Sequence, residues 1–315
     1  MSEAGYTNLR RVLENGHFSF TAEIGPPMSG SAENVREKAR KLKGYADAAN
    51  ITDNQTAIVR MSSIAAGYIA SCEGVEPVIQ MTCRDRNRIA LQSDLLGAYS
   101  LGLRNVLILS GDHQSFGNHQ ASKNVYDVDS VQFLDGARRM AREGVFMGGS
   151  KLKDPVDFFL GTTANPFADP EELQLIRLEK KIRAGAKFVQ TQGIYDVEKF
   201  RRWMKLVRER GIHERAYIIA GVVVNKTQKS IEMTAVVPGM DIPEHIIGRM
   251  RAAEKKDEEG VNIALDLIGE IRTIEGIAGV HVMAIGWESI VATIAERAGM
   301  LPRPVFERPC AFRGE

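Results

Sequence analysis

Strand-like and helix-like segments alternate almost without exception from residue 18 to residue 298. Stretches 18–24, 45–51, 76–81, 105–109, 156–160, 187–191, 216–220 and 280–285 carry the apolar alternation or the unbroken apolar runs of strands. Segments of helical period follow them: one from Ser31, then 61–71, 87–101, 127–142, 169–183, 197–210, a broken run over 226–274, and 288–298. Ser31 suits a helix N-cap and Gly102 a helix end. Asp169-Pro170-Glu171-Glu172 suits a helix start, with Asp169 as cap and Pro170 in the first turn. Parallel strands need helical crossovers, and about eight such units close most naturally into an α/β fold of the (β/α)8 TIM barrel type. A doubly wound open sheet is the second architecture. No G-x-G-x-x-G follows the first strand, which counts against a dinucleotide-binding unit of that kind. With 315 residues, 44% of them hydrophobic, the chain can build one such domain over 1–315, ending in an irregular tail at 301–315.

The first strand carries the sharpest chemical signal. In it Phe18, Phe20 and Ala22 face one way, and Ser19, Thr21 and Glu23 the other. It stops at Gly25-Pro26-Pro27, because proline cannot donate to a ladder. A carboxylate therefore sits at the C-terminal end of a strand, the rim where parallel α/β proteins bind ligands. Apolar neighbours Phe20 and Ile24 favour the protonated acid that general acid catalysis requires. The bland alternative is a solvated strand-end Glu.

The other strand exits add Thr52, Gln80 with Thr82, Ser110-Gly111-Asp112, Asn165 and Gln192. Two carboxylates in different surroundings can divide acid and base work. Gly111 lets the backbone beside Asp112 approach a planar ligand. The set lacks the ligand cluster of a catalytic metal and any G-x-S-x-G elbow. His113 and His119, without a third ligand, are no zinc site. Stretch 114–124 is polar, aperiodic and long for a compact domain, as functional loops often are.

Net charge is +1, from 41 basic and 40 acidic residues, so no global attraction to nucleic acid or anionic membrane is expected. Cys72, Cys83 and Cys310 have neither metal spacing nor a disulfide pattern, which points to a reducing cytoplasm. No secretory leader and no membrane span are read.

Five motifs, in order, are F-T-A-E-I-G-P-P at the first strand, Q-M-T-C-R-D at the third, N-V-L-I-L-S-G-D at the fourth, K-K-I-R-A-G-A-K-F-V-Q-T-Q before and along the sixth, and N-I-A-L-D from Asn262. Together they resemble the methylenetetrahydrofolate reductase family, over most of the chain. The resemblance implies a flavin-holding (β/α)8 barrel that reduces 5,10-methylenetetrahydrofolate to 5-methyltetrahydrofolate, in one-carbon metabolism and methionine biosynthesis. It makes Glu23 the general acid at N10 of the folate. Asp112 becomes the carboxylate beside flavin and pterin, and Gln192 a folate contact. Thr52, Gln80, Ser110, Gly111, Tyr126, Asn165 and Lys181 become flavin-binding positions, although Lys181 with Lys180 and Arg177 also reads as a solvated basic face. Gln80 stands where the family often has His, Asn165 and Asp169 where it has an aromatic and a His, and Trp287 where it often has Arg. Those departures touch the adenosine end, so FAD is expected with FMN as a serious alternative. NAD(P)H is a candidate electron donor. The chain also looks like short bacterial members that pair with a second subunit, with 114–124 and the tail as contact surfaces, and an oligomer is expected. The alternative is a flavin- or folate-binding barrel subunit that is non-catalytic or differently specific.

Overall fold

The computed structural model describes residues 6–237 and 239–306. Eight parallel strands close a barrel in chain order: β1 Ser19–Ile24, β2 Ala48–Ile51, β3 Pro77–Thr82, β4 Asn105–Leu109, β5 Phe159–Ala164, β6 Phe188–Gly193, β7 Tyr217–Val223 and β8 Ile277–Met283. Closure is made by β1 against β8, in the register Ser19↔Gly279 to Ala22↔Val282. The helices are α1 Asn8–Glu14, α2 Ala32–Leu42, α3 Ser63–Cys72, α4 Arg88–Ser100, α5 Ser130–Arg142, α6 Glu171–Arg183, α7 Val197–Glu209, α8 Gln228–Ala235, α9 Glu244–Ala252, α10 Lys256–Ile271 and α11 Ile290–Arg297. Among the described residues, no helix is long and apolar enough to cross a membrane.

The two faces of each strand do different work. On β1, Phe20, Ala22 and Ile24 are fully buried beneath the helices with Val35, Ala39 and Leu42 of α2. Inside the barrel, Val78, Leu107, Phe159, Phe188 and Ile219 fill the lower layers, and Leu9 and Leu13 of α1 pack against them. Gly161 makes this filling feasible, since a Cβ there would lie 2.2 Å from the Phe188 ring. Helix α1, which strand–helix alternation does not reveal, thus plugs the N-terminal end. Glu76 holds its first turn by accepting from the N–H groups of Asn8 and Leu9 at 2.6 and 2.8 Å.

Several boundaries differ from the sequence reading: β2 begins at Ala48 rather than 45, β8 spans Ile277–Met283 rather than 280–285, and three further shifts have a visible cause. Strand β5 begins at Phe159 and runs to Ala164, later than 156–160. Phe158 packs edge-on against Tyr99 in the helix layer, whereas the inward positions Gly161 and Thr163 give no apolar signal. Helix α5 starts after Asp129, which forms a capping box with Gln132, while Asp127 instead binds Arg88. Helix α6 starts at Glu171 with Pro170, not Asp169, at the cap position. Residues 301–306 are irregular as expected, and 307–315, with Cys310, lie outside the described residues.

Candidate active site

The polar strand ends converge on one cavity of about 410 Å³ at the C-terminal mouth. Glu23, Thr52, Gln80, Ser110, Gly111, Asp112, Asn165, Lys181 and Gln192 all line it, although they come from six strands' ends and one helix. Tyr126 does not. It stands at the lip, half exposed, where its hydroxyl donates to Gly111 O at 3.2 Å. Strand exits explain the convergence: with eight strands closed in order, every βα loop opens on the same rim.

The cavity floor is an amide pair across the barrel. Asn50 Nδ2 donates to Gln190 Oε1 at 2.6 Å, and Gln190 Nε2 returns a bond to Asn50 Oδ1 at 3.2 Å. Each amide satisfies the other where water is excluded, so two buried polar side chains are tolerated. Above them sits Glu23, its side chain only 9% exposed, with Oε2 3.8 Å from His281 Nε2. His281 is fixed from behind, because its Nδ1 is 3.0 Å from Thr21 Oγ1. The Thr21 hydroxyl is placed to donate to Val280 O at 3.4 Å. Its oxygen can then accept from Nδ1–H, which turns the Nε2 edge of the ring toward Glu23.

Behind the mouth, Lys38 Nζ donates to Gly25 O at 2.8 Å and lies 3.2 Å from Glu288 Oε1, which fixes the Gly-Pro-Pro turn after β1. On the opposite side, buried Asp53 accepts from Thr82 N–H, Thr82 Oγ1 and both terminal nitrogens of Arg86. Arg84, 2% exposed, joins three loops by donating to Asp112 O, Asn54 O and the Asp85 carboxylate.

Lys181 is not a solvated member of a basic face. It reaches back under the mouth, and its Nζ donates to Thr163 O at 2.8 Å. Burial, and secondarily Arg177 one turn away, pushes its ammonium down to about 8. Among the described residues no carboxylate lies within 4 Å of it. Asn165 is held by its loop: Oδ1 accepts from Phe167 N–H, and Nδ2 is so close to Gly239 that a Cβ there would lie 1.7 Å away.

Sequence reasoning missed Asn50, Gln190 and His281. A period-2 rule carried along the strands finds all three, since Asn50 shares parity with Thr52, Gln190 with Gln192, and His281 with Met283. Nothing in the sequence singles out Asn50 as the partner of a residue 140 positions away.

Comparison with known proteins places the chain. The family profile described as methylenetetrahydrofolate reductase matches residues 8–299. Methylenetetrahydrofolate reductase 2 of Saccharomyces cerevisiae is 25% identical over 256 residues, 77% of this chain, but the chain spans only 40% of that protein's length. The 5,10-methylenetetrahydrofolate reductase of Salmonella typhimurium is 24% identical over 299 residues, covering 91% of this chain and 93% of that one. Among solved structures, an uncharacterized protein from Clostridium thermocellum that binds two copies of 5-methyl-5,6,7,8-tetrahydrofolic acid superposes with a TM-score of 0.67 at 15% identity, over 94% of this chain and 100% of that one, a likeness of fold. With its family profile matched over almost the whole described barrel, the chain belongs to the methylenetetrahydrofolate reductase family.

Proposed function

We propose that this chain performs the reaction its family is named for, reduction of 5,10-methylenetetrahydrofolate to 5-methyltetrahydrofolate, with Glu23 as the proton donor. The observation that carries the reading is that Glu23 of β1 and Asp112 beyond β4, 89 positions apart by their numbering, line one mouth together with an uncharged amide, Gln192 of β6.

A flavin fits the residues present. Thr52 Oγ1 is fully buried at the cavity wall with no hydrogen-bond partner among the described residues, so it is a donor awaiting an acceptor. Gly111 holds φ +86° and packs against Thr82, where a Cβ would come within 3.0 Å, so the backbone there lies close to whatever fills the mouth. Lys181 is a half-buried cation with no carboxylate within 4 Å among the described residues, and Arg177 lines the same cavity one turn earlier. Two cations in that spacing suit linked phosphates, which favours FAD; FMN, with one phosphate, is the second reading. Bound in its reduced form, the flavin supplies the hydride.

The chain's own residues supply the rest. Glu23 delivers its proton to the departing N10 of the folate and is left as a carboxylate, with His281 Nε2 3.8 Å from it. Asp112 stabilises positive charge that develops on the opened folate. Gln192 offers both donor and acceptor to the pterin. Electrons come from NAD(P)H or from a second subunit. Loop 114–124, where Phe116 is 65% exposed, is the surface we assign to such a partner. The tail is a poorer choice, since Arg303 and Phe306 are engaged with the barrel's opposite end.

Purified protein is expected to show flavin absorbance and, once chemically reduced, to be reoxidised by methylenetetrahydrofolate. Reduced protein that stays reduced in its presence removes the assignment. A pH dependence follows from Lys181. Its charge is present below about 8 and is lost above. Phosphate binding raises that value, so flavin affinity falls as pH rises beyond it, by roughly tenfold over two pH units if one charge-assisted bond is lost. In Lys181→Met, affinity is lower and this slope is absent. Fluorescence titration at several pH values checks both.

A further inference from the structure

The backbone beside the mouth is strained in one place. Asn54, Thr56 and Ala57 hold φ of 45°, 56° and 57°, three left-handed residues within four, one of them β-branched. Such conformations persist only where the surroundings impose them. Three contacts do so here. Asp112 Oδ2 accepts from Thr56 N–H at 3.1 Å. Arg84 donates to Asn54 O and to Asp112 O, at 3.1 and 3.0 Å, and so fixes the distance between the two loops. From above, Gly117 lies so close that a Cβ on it would fall 1.9 Å from Ala57 O.

We infer that turn 54–57 is a clasp that competes with the bound ligand for the Asp112 carboxylate, with Thr56 and Arg84 as the positioning residues. This rests on the reading of Asp112 as the carboxylate beside the flavin. In the clasped state one carboxylate oxygen is committed to Thr56 N–H, and the turn stores left-handed strain. When the ligand engages Asp112, that bond is released and the turn relaxes. The strain therefore favours ligand binding, and the clasp bond opposes it. Apparent affinity is set by the fraction of molecules whose clasp is open.

Two substitutions push this balance in opposite directions without touching a group that meets the ligand. Thr56→Asn keeps the N–H and tolerates left-handed backbone, so it stabilises the clasped state. Gly117→Ala is conformationally undemanding at φ −95°, but its Cβ must displace Ala57 O, so it wedges the clasp open. FAD is titrated into the flavin-free chain, with quenching of flavin fluorescence as readout and thermal unfolding as control. Thr56→Asn is expected to weaken FAD binding and Gly117→Ala to strengthen it, each by roughly threefold to tenfold. A residue with a merely structural role shifts both in the same direction. Wild-type chain that binds FAD, with variants shifted the same way or unshifted, overturns the clasp alone. Wild-type chain that leaves the fluorescence of both FAD and FMN unchanged overturns the flavin reading and the clasp with it.

Discussion

Glu23→Gln is expected to keep its flavin and lose folate reduction by about 10²–10⁴-fold, the range of a missing general acid. The amide fills the same space and still donates a hydrogen bond, but it has no proton to give. Breaking the bond to N10 then leaves an anionic nitrogen in a site where water is scarce, because Glu23 lies over the Asn50–Gln190 floor and is 9% exposed. The measurement separates half-reactions. Flavin in the variant is reduced chemically, then mixed with methylenetetrahydrofolate, and reoxidation is timed. Reduction by an external donor should be unchanged, since Glu23 is assigned no part in it. Folate-driven reoxidation within threefold of wild type excludes Glu23 as the acid. His281→Asn is the milder companion: it removes the ring 3.8 Å from Oε2, so it should slow reoxidation less than Glu23→Gln does.

The barrel was legible in the sequence because strand–helix alternation is a local signal repeated eight times, and its closure follows from length and parallel pairing. The mouth was legible for the same reason: in a barrel, knowing that a residue ends a strand locates it in space. Strand β5 was misplaced where that logic weakens. Its inward residues are Gly161 and Thr163, chosen by the Phe188 ring and the cavity, and they look like a turn. Lys181 was ambiguous because helical period cannot distinguish a lysine pointing outward from one bent under the sheet edge to reach Thr163 O. The amide pair of Asn50 and Gln190 was invisible, since two buried amides explain each other only once both strands are in place. Helix α1 gives no such signal because its seven residues are held by Glu76 and by the barrel floor, contacts outside its own period.

Arg303→Met is expected to destabilise the protein by about 3–5 kcal/mol at neutral pH, the size of an uncompensated buried charge. Arg303 forms a two-pronged bond with Asp47, Nη2 to Oδ2 at 2.6 Å and Nε to Oδ1 at 2.9 Å, and their side chains are 7% and 0% exposed. The same guanidinium donates to Phe18 O and Met300 O, so it straps residues after α11 across the foot of β1. Burial holds the Asp47 carboxyl above its ordinary range even with Arg303 pulling it back down. The sign follows from that. A carboxyl whose folded-state value is raised binds more protons folded than unfolded, so acid favours the fold at this group. Without Arg303 the raise grows, so the gap between variant and wild type should narrow as pH falls from neutral into the acid range. Asp47→Asn in the same background exchanges the ion for a neutral amide and should recover most of the loss. Denaturant midpoints across that pH range, for single and double variants, decide the matter. A gap independent of pH, with no recovery by Asp47→Asn, means that Arg303 contributes packing rather than charge. Because the pair sits at the end of the barrel remote from Glu23 and Asp112, folded Arg303→Met should turn over folate normally, which separates what holds this barrel together from what works at its mouth.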